Sequence, residues 1–284
     1  TIPSLQPAEP HSTDSIISTD PGCVVRYSFL DAQHMVRVEM VKSNKILLAV
    51  FTQFGSLNIL AAELTFEPFA TVGYEQYEAG LFDASGDEVH VKPSYLRADV
   101  GALIRWSSLY FELNAGTSES VDVTDSLGNT AGFNRNDFRF KAGYAYRDRY
   151  LVFAGFQSSA TQLEYAGNIA ETLDYDSDGP YIGAGYRKAL AFGDLAFNAA
   201  YSSRSARINS TRLLAGDMRP ESDGSGFMID AVLNVPLSPP LGFKAGLEYQ
   251  AFEYSDWKDF FGNPVPITTP EQLTTIRLGV YASF

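Results

Sequence analysis

The stretch 95–106, YLRADVGALIRW, decides the fold class. Its even-numbered residues are all apolar, whereas Arg97, Asp99 and Arg105 stand among the odd-numbered ones. Successive side chains of a β-strand point to opposite faces. The stretch therefore predicts a long strand with one apolar face and one charged face.

The same alternation recurs along most of the chain. It is clear in the segments 109–115, 138–146, 227–235, 241–249 and 276–284. It is weaker in the segments 150–163, 179–188 and 195–208. With 65–77 as the first strand, the pattern predicts ten strands, an even number that places both ends of a barrel in the periplasm.

The links between these strands alternate in length. The short links are 105–108, 147–150, 188–194 and 236–241. The long and polar links are 81–93, 117–135, 166–178, 209–225 and 255–273. Soluble sandwiches prefer shorter strands, whereas long strands with tight turns at one end and long loops at the other are typical of outer-membrane barrels.

The last strand carries a resemblance to a known family. Its alternating residues Ile276, Leu278, Val280, Ala282 and Phe284 resemble the closing strand of Gram-negative outer-membrane β-barrel proteins, although Ala282 stands where a large aromatic residue is more usual. The resemblance covers about residues 65–284. It implies a porin-like protein of the bacterial outer membrane, in contact with lipid and lipopolysaccharide, with Phe284 as an assembly signal for the barrel-assembly machinery.

The predicted architecture is all-β: a transmembrane, antiparallel, up-and-down barrel over residues 65–284. Residues 1–22 are rich in proline and are expected to form an extended tail or linker. Residues 23–64 are expected to form a small β-meander, in the periplasm or at the barrel mouth, which offers a surface for a periplasmic protein partner. The alternative adds two or four of these segments to the barrel, which would then have 12 or 14 strands.

A ten-strand barrel has a narrow interior, so its inward-facing charges should pair and plug the lumen. The predicted lumen-charge network consists of Arg97, Asp99, Arg105, Glu112, Arg139, Lys141, Asp230, Lys244, Glu248 and Arg277. In a membrane barrel these charges face inward, and apolar residues such as Leu247 and Ala142 face the lipid. Aromatic residues beside the turns and loops, including Trp106, Tyr146, Tyr254 and Trp257, are expected to form girdles at the membrane interfaces.

Composition excludes several other classes. The net charge of −13 and the isoelectric point near 4.6 argue against a nucleic-acid partner. A single cysteine excludes an intramolecular disulfide framework. No apolar run reaches the roughly 18–20 residues of a membrane-spanning helix.

Candidate chemistry is sparse. Asp174, Asp176 and Asp178 begin a calcium-loop pattern, D-x-D-x-D-G, but Gly185 stands where its bidentate glutamate is required. The run is expected to be an acidic loop tip, with a weak Ca²⁺ site as the alternative and no other cofactor. No catalytic residue is predicted, because the sequence contains neither a His-x-Ser nor an Asp-x-His motif.

The sequence thus favours a structural or interaction protein with a narrow, charge-plugged lumen, which is not an enzyme. The alternative is a narrow, cation-favouring channel or small-solute transporter, because most of the long links are acidic. An outer-membrane enzyme ranks third.

Overall fold

A computed structural model describes residues 15–18, 24–27, 64–82, 88–165, 171–212, 221–258, 263–265 and 268–284. The chain divides into two units, residues 1–56 and 57–284. In the first unit, β1 (Ser15–Ser18) pairs antiparallel with β2 (Val24–Tyr27). β1 falls within the predicted tail. Apart from β2 and Leu64, the predicted meander over 23–64 lies outside the described residues.

The second unit consists of strands in its described part, which contains no helix that could span a membrane. The strands are β3 (Leu64–Phe82), β4 (Glu88–Val91), β5 (Ser94–Trp106), β6 (Leu109–Ser118), β7 (Val121–Thr124), β8 (Thr130–Tyr146), β9 (Tyr150–Tyr165), β10 (Glu171–Leu190), β11 (Gly193–Arg212), β12 (Glu221–Pro236), β13 (Leu241–Lys258), β14 (Pro264–Val265) and β15 (Thr269–Ala282).

These strands form a closed antiparallel barrel. β4 continues the line of β5 along β3, and β7 and β14 likewise continue β6 and β15, so that the wall has ten strands. The ring closes because β15 pairs with β3, for example Ile276 with Tyr74. The predicted ten-strand barrel is confirmed. The alternative of 12 or 14 strands is wrong, since β3 pairs directly with the last strand.

An apolar belt surrounds the barrel near the short turns. Its large exposed side chains include Val72, Tyr74, Leu96, Phe111, Phe138, Phe140, Phe156, Ile182, Phe197, Tyr201, Phe227, Ile229, Leu247, Ile276 and Leu278. The belt ends at the same height on three neighbouring strands, because Tyr74 on β3 pairs with Leu96 on β5 and with Ile276 on β15. Eleven residues of tilted strand, from Leu96 to Trp106, cover about 25 Å, the height of the apolar band of such barrels. The apolar face is therefore the lipid face.

The strands continue beyond this belt on the side opposite the short turns. We call this part the extension; it comprises residues 76–82, 88–95, 117–136, 158–165, 171–179, 203–212, 221–225, 253–258 and 268–274. Much of it was expected to be long loops. In the extension most apolar side chains point inward and most charged ones outward, as Leu173 and Asp174 illustrate; Arg135, Arg204 and Glu271 are buried exceptions. The strands therefore keep their period of two, and only the connecting tips are left as loops.

The extension encloses the main hydrophobic core. Its buried residues include Tyr77, Leu81, Val89, Val91, Phe133, Leu163, Leu173, Tyr175, Ile208, Tyr254, Trp257 and Leu273. Tyr254 and Trp257 are fully buried here, so their prediction as interfacial girdle residues is wrong. Trp106 and Tyr146 are exposed beside the short turns, as a girdle requires.

Candidate functional site

The lumen of the barrel is the candidate functional site, and its central feature is Arg97. The Arg97 guanidinium lies 2.6 Å from Glu75, 2.6 Å from Asp99 and 3.0 Å from Asp137. All four side chains are nearly removed from water. Three carboxylates on three strands are thus held by one cation.

Neighbouring groups complete this cluster. The hydroxyls of Tyr95 and Thr275 donate to Glu75. Gly116 faces the Arg97–Asp99 pair so closely that a Cβ atom would collide with both side chains. A side chain at this position would therefore displace the ion pair.

A second group of bonds crosses the lumen towards the short turns. Arg139 on β8 donates to Glu248 on β13 at 2.5 Å, and Arg277 on β15 contacts the same carboxylate. β8 and β13 are separated by five positions in the ten-strand ring, so they face each other across the barrel. Gln157 also bonds to Gln250 across the lumen, at 3.2 Å. These contacts join opposite walls directly.

A third group lies in the extension around Glu271. Its carboxylate accepts bonds from Arg135 at 3.0 Å, Tyr175 at 3.1 Å and Tyr254 at 2.8 Å. Burial alone would lower the pKa of Arg135, but Asp137 and Glu271 outweigh it and raise that pKa. Burial, and then Glu271, raise the pKa of Tyr175. Arg135 is therefore a fixed cation and Tyr175 a fixed hydrogen-bond donor.

The structure places all ten residues of the predicted lumen-charge network on the inner face. Beyond the pairs already described, Arg105 lies 3.0 Å from Glu67 and Lys141 lies 2.5 Å from Glu112. The remaining two have no ion pair among the described residues: Asp230 accepts from the Asn198 amide at 2.8 Å, and the Lys244 ammonium lies 3.6 Å from the centre of the Phe69 ring. Their functional role stays a prediction.

Four of the most connected charges were not in the predicted network: Glu75, Arg135, Asp137 and Glu271. Arg135 and Glu271 lie in segments that were expected to be loops. Glu75 lies on the predicted strand 65–77 and Asp137 directly before the predicted strand 138–146, both in phase with inward-facing neighbours. Extending the alternation by a few residues would have identified them.

The acidic run is not the loop tip that was expected. Asp174, Asp176 and Asp178 lie in β10 and alternate with buried residues of the inner face. The described part of the chain contains no group of three or more acidic, histidine or cysteine side chains that could hold a metal ion. The weak Ca²⁺ site stays a prediction.

The end of the chain completes the ring at the short-turn side. The Phe284 backbone exchanges two hydrogen bonds with Phe66, at 3.0 and 3.1 Å, and the Phe284 side chain is exposed. The residue thus lies on the lipid side, at the seam where the first and last strands meet. Its role as an assembly signal stays a prediction.

Comparisons with known proteins agree with this architecture. No protein-family model and no curated protein matches the sequence. The outer membrane protease OmpT from Escherichia coli is similar over 81% of this chain and 99% of its own, with a TM-score of 0.52 and 12% identity. The translocator domain of the autotransporter NalP from Neisseria meningitidis is similar over 80% of this chain and 91% of its own, with a TM-score of 0.45 and 12% identity. Ail from Yersinia pestis is similar over 77% of this chain and 98% of its own, with a TM-score of 0.34 and 11% identity.

Likeness at 12% identity establishes the fold alone, and of these three matches the one to OmpT has a TM-score above 0.5. The chain has the fold of a bacterial outer-membrane β-barrel protein, and its apolar belt and charged interior agree with that location. The predicted fold class and membrane are confirmed at this level. The protease activity in the name of OmpT is not transferred by the likeness.

Proposed function

We propose that this protein is a non-conducting outer-membrane barrel that acts as a structural or interaction protein. One observation carries the proposal: side chains from opposite walls bond to each other across the lumen. Arg139 and Glu248 do so inside the belt, and Arg135 and Glu271 do so in the extension.

A solute crossing the barrel would have to break these contacts. Separating one partner from a buried ion pair costs about 3–5 kcal/mol, because the other charge is left without compensation. The solute would then meet the apolar core of the extension, where Phe133 packs against Tyr77 and Tyr95. A hydrated ion is not stabilised in such surroundings.

The outer face of the extension supports a role in interaction. Its outward-facing acidic residues include Glu78, Asp122, Glu164, Asp174, Asp176, Asp178, Asp223 and Glu253. An acidic collar next to the lipid belt favours basic partners or lipopolysaccharide bridged by divalent cations. A periplasmic partner for residues 23–64 stays a prediction outside the described residues.

Single-channel recording in planar bilayers tests the proposal. We expect the purified protein to insert without conductance steps in KCl. A variant with Tyr175→Ala, Tyr254→Ala and Trp257→Ala removes three large rings from the apolar core of the extension and should show conductance steps. The matched control, Asp176→Ala with Glu253→Ala, changes neighbouring residues on the outer face and should stay silent.

Steady conductance of the unmodified protein would overturn the proposal. Reversal potentials across a KCl gradient would then show whether the lumen favours cations, as the alternative reading of the sequence requires.

A further inference from the structure

The lumen is not filled throughout. A cavity of about 170 Å³ lies between the short turns and the Arg139–Glu248 pair. Ser107, Ser108 and Asp148, all in short turns, belong to its wall. The cavity therefore has its mouth at the turn end of the barrel, and the cross-lumen bonds form its inner limit.

The cations in the cavity wall differ in their partners. Arg105 bonds to Glu67 at 3.0 Å, Lys141 to Glu112 at 2.5 Å and Arg187 to Asp194 at 2.6 Å. Arg139 and Arg277 share the carboxylate of Glu248. Lys244 differs, because its ammonium makes no hydrogen bond or ion pair with any residue that the structure describes.

The acidic groups of the wall are largely engaged. Glu112 and Glu248 are held by the cations named above, and Asp230 accepts from the Asn198 amide at 2.8 Å. Asp148 belongs to the turn at the mouth. The ammonium of Lys244 lies 3.6 Å from the centre of the Phe69 ring, and the two carboxylates that act on it from a greater distance, Glu112 and Glu67, are each paired with another cation. A negatively charged ligand would supply the missing partner.

Part of the wall is apolar. Phe69, Leu103, Leu151 and Val232 belong to it, beside polar residues such as Thr71 and Asn198. A cavity of about 150 Å³ lined by apolar side chains accommodates a benzene ring. The available volume therefore fits one ring or a short branched chain, with room for a carboxylate.

We propose that this cavity binds a small organic monoanion, a carboxylate on an aromatic or branched aliphatic body about the size of benzoate. The carboxylate would pair with Lys244, and the apolar body would contact Leu103, Leu151 and Phe69. One free ammonium matches one negative charge, so the site disfavours dianions. The proposal is independent of whether the barrel conducts, because the ligand enters and leaves through the same mouth.

Isothermal titration calorimetry of the full chain in detergent micelles tests this inference, with protein-free micelles as the blank. Benzoate should bind saturably with one site per chain. Benzyl alcohol, which has the same ring without the charge, should bind at least tenfold more weakly, and benzylamine should not bind. These three titrations need no variant.

Variants then assign the site. Lys244→Met keeps the aliphatic stem and removes the charge, so benzoate affinity should fall at least tenfold. Lys92→Met, which removes a lysine paired with Glu78 on the outer face, should leave affinity unchanged. Ala196→Leu fills part of the cavity and should weaken benzoate and benzyl alcohol alike.

The proposal is overturned if benzoate does not saturate, if it binds no better than benzyl alcohol, or if Lys244→Met binds it as tightly as the unmodified protein. A folded Ala196→Leu variant with unchanged affinity would place the ligand elsewhere and also overturn it. A folded barrel gives a band on an SDS gel that shifts when the sample is boiled. If Lys244→Met lacks this shift and so does not fold, the comparison of benzoate with benzyl alcohol and the Ala196→Leu variant decide the question. None of these outcomes depends on the bilayer recordings.

Discussion

At the scale of single residues, Arg97 contributes most to the order of the lumen. It compensates Glu75, Asp99 and Asp137 at once, in surroundings nearly free of water. Uncompensated carboxylates would be costly in such surroundings, whereas in water they are stabilised by hydration. The same cation–carboxylate contact should therefore contribute far more to the stability of the fold where it is buried than where it is exposed to water.

Replacing Arg97 with Met tests that difference. Arg97→Met leaves three buried carboxylates with one cation fewer and should destabilise the fold by about 3–5 kcal/mol. Arg207→Met breaks an exposed pair with Glu221 and should cost less than about 1 kcal/mol. Urea unfolding in detergent micelles, followed by tryptophan fluorescence, measures both. Equal costs would mean that water reaches the Arg97 cluster.

Depth in the membrane can be tested in the same way on the lipid face. Leu247 lies in the middle of the belt, and Leu237 lies in a short turn; both side chains are largely exposed. Leu247→Arg should cost about 2–4 kcal/mol, whereas Leu237→Arg should cost about 0–1 kcal/mol. Refolding into lipid vesicles at several urea concentrations gives both values. A larger cost for Leu237→Arg than for Leu247→Arg would mean that the bilayer midplane does not lie at the level of Leu247.

At the scale of elements, the strands keep their period of two but exchange the polarity of their two faces where they leave the membrane. In β13, Leu247 and Tyr249 face the lipid and Glu248 faces the lumen, but further along Tyr254 faces inward and Glu253 outward. Alternation with a fixed phase predicts the membrane-spanning part of each strand well. It fails where the polarity of the faces is exchanged, because two consecutive residues there are both apolar or both polar. The segments beyond this point were therefore read as loops.

The short turn between β8 and β9 carries backbone strain that can be relieved. Arg147 and Asp148 have φ angles of +50° and +55°, and the Arg149 N–H donates to the Tyr146 carbonyl at 3.2 Å. Positive φ at both central residues of a turn is the pattern that favours glycine at the second of them. Asp148→Gly should stabilise the barrel by up to about 1 kcal/mol. Ser238→Gly in another short turn, where the structure gives no positive φ, should bring no gain in the same urea series.

At the scale of the whole molecule, the lumen is charged inside the membrane, whereas in the extension it is mainly apolar and includes the buried Arg135–Glu271 pair. The charged part could be predicted, because inward-facing positions follow from alternation on each strand. The pairs could not, because Arg139 and Glu248 lie 109 residues apart and meet only through the closure of a ten-strand ring. The cavity could not be predicted either, since it depends on how far side chains from opposite walls reach.

Variants of the last strand can distinguish the ability of the barrel to fold from its insertion into the membrane in cells. Phe284→Ala removes an exposed ring but keeps both backbone bonds to Phe66. A closed barrel satisfies its backbone groups internally, so the purified variant should still refold in detergent and keep a band that shifts on boiling in SDS. If Phe284 is the assembly signal, the amount inserted in cells should fall several-fold. Val280→Ala, which removes apolar surface from the same face of the same strand, should be inserted normally. Equal insertion of both variants would show that the signal lies elsewhere, whereas loss of the shifted band would mean that the ring itself holds the seam.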